Sequence, residues 1–411
     1  MVVVQSTGAV RALKRLPLLT LGIIAVNAIV FVTIGRDVTA AGYPADVSPM
    51  HVYGLIPSHL SMGKMFTSCF VHAGLAHLII NMGMLYLFGR EVERAMGKLE
   101  YGIFYIGACF ASSLAHAGIV LAAFPPYYAS QPVVGASGAV AGVVAIYAVR
   151  YHRRILDFLG LQVPALLVIL GWLILQLILG MVGLYRDSFL GLGLKQVSYW
   201  SHLGGFAFGL IVALASNMAL QGEREHLIAE ARRHYDSGSN LEATHYYEAL
   251  TKCDPDNAFA YAELGRLWAI LEEEDQSLPY YQTAIELYIS QGMELEALAR
   301  AEEMKRFWPK SAIPAPTRFR FASYLEESGH TLDALQWFRE LAGDEPESVE
   351  AEMALLKIGR LQLSFQLDPI AARATLTDFL ARYPRSEWRR FAEDVLTRAQ
   401  EPSARPTTAD A

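Results

Sequence analysis

Ser137 opens a long apolar run, "VVGASGAVAGVVAIYAVRYHRR", with Gly135 two residues before it and Gly138 just after. A serine hydroxyl is a weak nucleophile unless a neighbouring base takes its proton. Imidazole, which titrates near neutrality, is the natural base. One histidine, His202, lies in "SYWSHLGGFAFGLIVALA"; two more, His72 and His77, lie in "CFVHAGLAHLIINMGMLYLFGREVE" together with Asn81. His77 and Asn81 are four apart, so on a helix they share a face. Their side chains could donate to a developing oxyanion, as could the free backbone N–H groups at a helix start on Ser137. Nucleophile, base and oxyanion donors are therefore all supplied. Each residue also has a plainer use. Serine in a membrane helix often bridges neighbours, and intramembrane histidines can pack or relay protons. A zinc site is disfavoured, because there is no HExxH and no carboxylate at depth beside His72 and His77. An aspartyl protease would need two buried aspartates, and no span carries one in its middle.

The elements that must position these residues are membrane helices. Up to Leu220 the chain is a series of apolar runs, at roughly 18–34, 71–89, 101–123, 133–150, 161–183 and 197–220. A bilayer core needs about 20 apolar residues in a helix, so six spans are expected, several of them short. The first is not a cleavable signal peptide, because Gly35-Arg36-Asp37 follows it and more spans come after. Six spans put both termini on one side. Arg11, Lys14, Arg15, Arg90, Arg94, Lys98, Arg150, Arg153 and Arg154 then fall together, against Arg36, Lys64, Arg186 and Lys195 opposite. Positive charge marks the cytoplasmic side. Both termini are expected there, and Ser137, His202, His77 and Asn81 at similar shallow depth on the external side. Gly205 and Gly209 form a small-xxx-small face for close helix approach. His116, in the third span, is assigned a structural part.

At these residues the sequence resembles the rhomboid intramembrane serine proteases. Gly135-Ala136-Ser137-Gly138 is similar to their GxSG motif, and His202-Leu203-Gly204-Gly205 with Gly209 to their histidine helix. His72, His77 and Asn81 match the HxxxxHxxxN pattern, with Phe88-Gly89 and Glu93 downstream. The resemblance covers about residues 17–220. It implies a six-helix core with a water-filled cavity open to the outside. Ser137 would attack, with His202 as base and no third acidic member; Asn81, His77 and the Ser137 backbone N–H would form the oxyanion hole. His72, Gly135, Gly138, Gly205 and Gly209 would support that motif. Two departures stand out: residues 35–65 lack the Trp-Arg pair common in the family, and Ala141 replaces a tyrosine frequent beneath the histidine. No cofactor or metal is implied.

After Gln221 the composition changes. Residues through Leu220 carry 13 Lys and Arg against 7 Asp and Glu, whereas the remainder carries 21 against 34. So acidic a back half argues against nucleic acid as a partner. Three scattered cysteines imply no disulfide framework. Helix pairs follow one another. Ala243, Ser277, Ala334 and Ala372 are each followed four residues on by Tyr247, Tyr281, Phe338 or Leu376, and Pro255, Pro346 and Pro384 lie 12 residues after three of the four. The pattern resembles a degenerate tetratricopeptide (TPR) repeat, whose stacks offer a concave groove for a protein partner. The expected organisation is all-α: a cytoplasmic segment 1–16, a rhomboid-like membrane domain 17–220, a TPR-like domain 221–400 and a disordered tail 401–411. The expected function is an intramembrane serine endopeptidase of the bacterial inner membrane, cutting transmembrane proteins near the external boundary. The alternatives are a catalytically silent client-binding relative and a proton-relaying transporter. The fifth span and the loop 184–196, with Gly183, Gly191 and Gly193, are the expected mobile elements.

Overall fold

The computed structural model describes residues 16–34, 48–158, 160–185 and 198–400. The expectations for the N-terminal basic residues, Arg36, Arg186, Lys195, Gly191, Gly193 and the tail lie outside the described residues. The chain divides into two compact units, up to His226 and from Leu227.

The first unit is built of helices α1 (Leu18–Thr33), α2 (Leu75–Met84), α3 (Arg90–Met96), α4 (Lys98–Ala123), α5 (Ser137–Arg150), α6 (Ala165–Tyr185) and α7 (Tyr199–Ala215). A π-helical turn at Leu85–Gly89 joins α2 to α3. Short helical turns at Pro49–Tyr53, Met62–Thr67 and Pro126–Ala129 lie in the connections. Helix α8 (Met218–Asp236) follows α7 after a 67° bend. Asn217, with φ 51°, sits at the corner.

Polarity is inverted relative to a water-soluble bundle. Asn27, Asn81, Ser112, Ser113, His116, Gln176 and His202 are buried, while Ile79, Ile103, Leu167, Ile174, Ile178 and Ile211 are exposed. Apolar side chains outside and hydrogen-bonding groups inside are what hydrocarbon as solvent selects. Two described helices, Lys98–Ala123 and Ala165–Val182, are long and apolar enough to cross a membrane; a third counts if the bent α7–α8 pair is one span. Helices α1 and α5 are apolar but shorter.

The fifth run does not begin as a helix. Ile155–Phe158 (β1) and Leu161–Pro164 (β2) pair antiparallel, with Leu156 opposite Val163 and Asp157 opposite Gln162. Gly160 takes a positive φ of 84°, and its N–H donates to Asp157 Oδ1 (2.9 Å). Pro164 lacks an N–H and disfavours the helical conformation in Val163, so the helix starts at Ala165. The all-α expectation holds with this hairpin as its exception. The second run likewise becomes helical only at Leu75, which leaves His72 in the preceding loop.

Helices α5 and α7 cross at backbone distance. A β-carbon on Gly205 would collide with the carbonyl oxygen of Gly138, and one on Gly209 with that of Gly142. At the other end of α1, the Glu93 carboxylate accepts from the Leu19 N–H (3.0 Å), the Thr20 N–H (2.8 Å) and the Thr20 hydroxyl (2.6 Å). A buried carboxylate thus satisfies the unpaired donors of a helix start.

The second unit is a run of helices: α9 (Asn240–Cys253), α10 (Ala258–Ile270), α11 (Glu274–Ser290), α12 (Glu294–Phe307), α13 (Ala315–Glu327), α14 (Thr331–Asp344), α15 (Val349–Ser364), α16 (Pro369–Arg382) and α17 (Arg389–Gln400). Each packs mainly on its sequence neighbours. Ala243, Ser277, Ala334 and Ala372 are fully buried, as are Tyr281, Phe338 and Leu376. The ring of Tyr281 fills the space where a Gly265 side chain would stand, and Leu376 does the same at Gly359. Gly265 and Gly359 are therefore the seats for large residues on the next helix.

Candidate active site

The segment before α5 is held in place by three main-chain contacts. Val133 and Leu55 exchange N–H···O bonds (2.8 and 2.9 Å), the Gly135 N–H donates to Ser68 O (2.8 Å), and the Ala136 N–H points at His72 Nε2 (3.4 Å). His72 is fully buried. Gly135 has φ 125°, a conformation that disfavours any side chain. A β-carbon there would lie 2.7 Å from the His77 ring and 3.7 Å from Ser137 Oγ. His77 and Ser137 thus converge on the empty side of Gly135. Helix α5 starts at Ser137, whose first-turn N–H groups have no intrahelical partner.

His202 stands one turn into α7, and its Nε2 lies 2.7 Å from Ser137 Oγ. Its Nδ1 lies 2.7 Å from Gln176 Oε1, on α6. The indole of Trp172 stacks on the ring at 6.1 Å and 29°, and Tyr199 meets it edge-on at 6.5 Å. These aromatics flank His202 in a chain that has Ala141 where a tyrosine was expected. Asn81 is buried, and its Nδ2 donates to His77 O (2.8 Å), so its amide braces its own helix here. Gly138 faces inward, with Ser112 and Ser201 side chains where its β-carbon would be. His116 has a partner that the sequence did not suggest: its Nδ1 lies 2.7 Å from Ser198 Oγ, tying α4 to the start of α7.

Of the candidates, Ser137, His202, His77 and Gly135 come together around one point. His72 faces the Ala136 N–H ahead of α5, Asn81 braces its own helix, and Gly205 and Gly209 set the α5–α7 distance. Gln176 and Trp172 were missed. The available signal was Gln176 itself, a lone amide in "ALLVILGWLILQLILGMV", since an isolated polar residue in an apolar span needs a partner.

Residues 59–217 match the family model for the Rhomboid domain. The chain is 30% identical over 164 residues to Rhomboid-type serine protease 2 of Emericella nidulans, covering 38% of this chain and 27% of that protein. It is 26% identical over 163 residues to Rhomboid protease GluP of Bacillus subtilis, covering 39% and 27%. Over 82 residues it is 37% identical to Inactive rhomboid protein 1 of Drosophila melanogaster, covering 20% and 5%. The chain thus spans about a quarter or less of the length of these relatives. Together the domain match and the protease relatives support the rhomboid family and, with it, a multi-pass integral membrane protein.

Proposed function

We propose that the chain is an intramembrane serine endopeptidase that cuts transmembrane proteins near the external membrane boundary. The observation that carries this reading is the 2.7 Å contact between Ser137 Oγ and His202 Nε2 inside a bundle with an apolar exterior. His202 takes the hydroxyl proton as Ser137 attacks the scissile carbonyl, then delivers it to the leaving amine; water hydrolyses the acyl-enzyme by the reverse sequence. The Ser137 N–H stabilises the tetrahedral oxyanion, joined by His77 and by Asn81 once its amide turns from His77 O. A substrate helix must unwind to present its peptide bond, so small or helix-breaking residues are expected near the cut.

In this reading six helices cross a bacterial inner membrane, both termini are cytoplasmic, and the site opens outward. The back half is a TPR-like domain that holds a cytoplasmic protein partner. Its cleft of about 240 Å³, lined by Phe259, Glu263, Arg266, Tyr288, Leu295 and Arg300, supports that use. A silent client-binding protein is the second reading, favoured by the relative named inactive. The hydrogen-bonded serine and histidine weigh against it. Cleavage of a labelled transmembrane substrate in liposomes decides between them: wild type should cut and Ser137→Ala should not. If wild type is inert on every substrate tried and Ser137 resists a fluorophosphonate, the protease reading fails.

A further inference from the structure

Helix α6 turns a single stripe inward: Ala165, Ile169, Trp172, Gln176 and Gly180 are covered or partly covered, while Leu167, Leu170, Ile174, Leu175, Leu177 and Ile178 face out. Within that stripe Gln176 is 7% exposed. An amide buried among apolar side chains is costly unless it is hydrogen-bonded, and the partner the fold supplies is His202 Nδ1, at 2.7 Å.

We infer that Gln176 is a positioning residue that sets the tautomer of His202. With its oxygen on Nδ1, as it stands here, the amide accepts and holds the imidazole that carries its proton there; turned over, its NH2 would hold the other form. The lone pair is then left on Nε2, 2.7 Å from Ser137 Oγ, where a base is needed. The opposite tautomer would point an N–H at the hydroxyl and could take no proton from it. Trp172 and Tyr199 hold the plane of the ring but offer no means of choosing between its nitrogens. A carboxylate does this job in Ser-His-Asp triads. An uncharged amide does it without bringing a charge into an apolar helix. The arrangement also makes the ring's orientation depend on where α6 stands.

The catalytic meaning of this contact rests on the protease reading above, but the tautomer does not. The test uses the full chain with ring-¹⁵N histidine, identifying the His202 signals by their loss in His202→Ala. Wild type, Gln176→Met and Gln176→Glu are compared for ring ¹⁵N shifts, for kcat and KM on a transmembrane substrate, and for the rate of fluorophosphonate labelling. Wild type should show the Nδ1–H form. Gln176→Met, similar in shape but lacking the acceptor, should show mixed tautomers, slower labelling and a kcat lower by about ten- to a hundredfold with KM little changed. Gln176→Glu retains an acceptor oxygen and should recover the Nδ1–H form and most of kcat. Gln176→Met with wild-type ring signals overturns the inference, as does a folded Gln176→Glu no better than Gln176→Met. If the signals behave as expected while no variant, wild type included, cleaves or labels, the positioning stands and the protease reading falls.

Discussion

Gly205 meets the main chain of Gly138 with no side chain between them, and Gly209 meets Gly142 in the same way. The separation of α5 and α7 is therefore set by backbone contact, and with it the distance from Ser137 to His202. Neither neighbour can yield, because both are main chain. Gly205→Ala or Gly209→Ala should cost about 1–3 kcal/mol of stability through overpacking and should reduce cleavage further by parting the two side chains. Gly118→Ala, on α4 with nothing within 4 Å of its β-carbon position, should leave turnover unchanged and should not lower the unfolding temperature. Equal effects from all three would remove the close crossing as the cause.

Ser137→Ala and His202→Ala should each abolish nearly all turnover. Because attack and proton removal are one event, the double variant should be scarcely worse than either single one. Steady-state cleavage in liposomes measures this, and additive losses would mean that the two residues act separately.

Asn81 has two uses open to it, and kinetics separates them. Its Nδ2 donates to His77 O, which braces α2 beside the ring that faces Gly135. If the amide also turns to the oxyanion, Asn81→Ala should lower kcat by about 10²–10³ while leaving substrate binding little changed. A lower unfolding temperature with unchanged kcat would restrict Asn81 to the bracing contact.

The residues facing one another at the candidate site were largely legible in the sequence, since hydroxyl, imidazole and glycine at these spacings have few joint uses. Gln176 was not, because an amide among leucines says nothing of its partner until α6 and α7 are side by side. The second strand of the hairpin, Leu161–Pro164, was read as the start of the fifth span for a related reason. In "LQVPALLVILG" only Gln162 is polar, and periodicity cannot separate a short apolar strand from a helix; Gly160 and Pro164 were the available stop signals. In the back half the residues aligned by spacing, Ala243, Ser277, Ala334 and Ala372, are fully buried, whereas the seats for Tyr281 and Leu376 are Gly265 and Gly359, which that alignment did not pick out.

Glu263 should make the second unit's stability depend on pH. Burial raises its carboxyl above the ordinary value; Arg266 opposes the shift and Glu303 adds to it. A carboxyl whose pKa is raised on folding favours the folded state below its unfolded pKa and loses that contribution as pH climbs through the folded value. At pH 7 the buried charge is therefore a cost, one that glutamine avoids with nearly the same shape. Glu263→Gln should raise the unfolding midpoint of the second unit by about 1–3 °C at pH 7, and the gain should vanish near pH 4. A lower midpoint at pH 7, by calorimetry of the full chain, would mean that the lost pairing with Arg266 (3.1 Å) outweighs the relief.

Where the chain is cut should decide whether the first unit survives without the second. The composition changes after Leu220, yet α8 runs unbroken through that point, and its first turns belong to the membrane unit. Gly222 sits against the Arg150 carbonyl, Gln221 and Glu225 accept from the Arg150 guanidinium (2.6 and 2.7 Å), and Glu223 accepts from Arg153 Nε and Nη2 (2.8 and 2.9 Å). Arg150 is only 6% exposed. Ending the chain at Gln221 removes Glu223 and Glu225, and with them the anions paired with Arg153 and Arg150 at the foot of α5. Ending it at Asp236 keeps every one of these contacts. Residues 1–236 should therefore remain folded and cut a generic transmembrane substrate in liposomes at a rate close to the full chain. Residues 1–221 should unfold at lower temperature and lose activity in proportion. If the second unit recruits the physiological substrate, residues 1–236 should process it more slowly in cells, because its effective concentration falls. A folded 1–236 protein that cuts nothing would make the second unit part of the catalytic apparatus, and recruitment would not be its role.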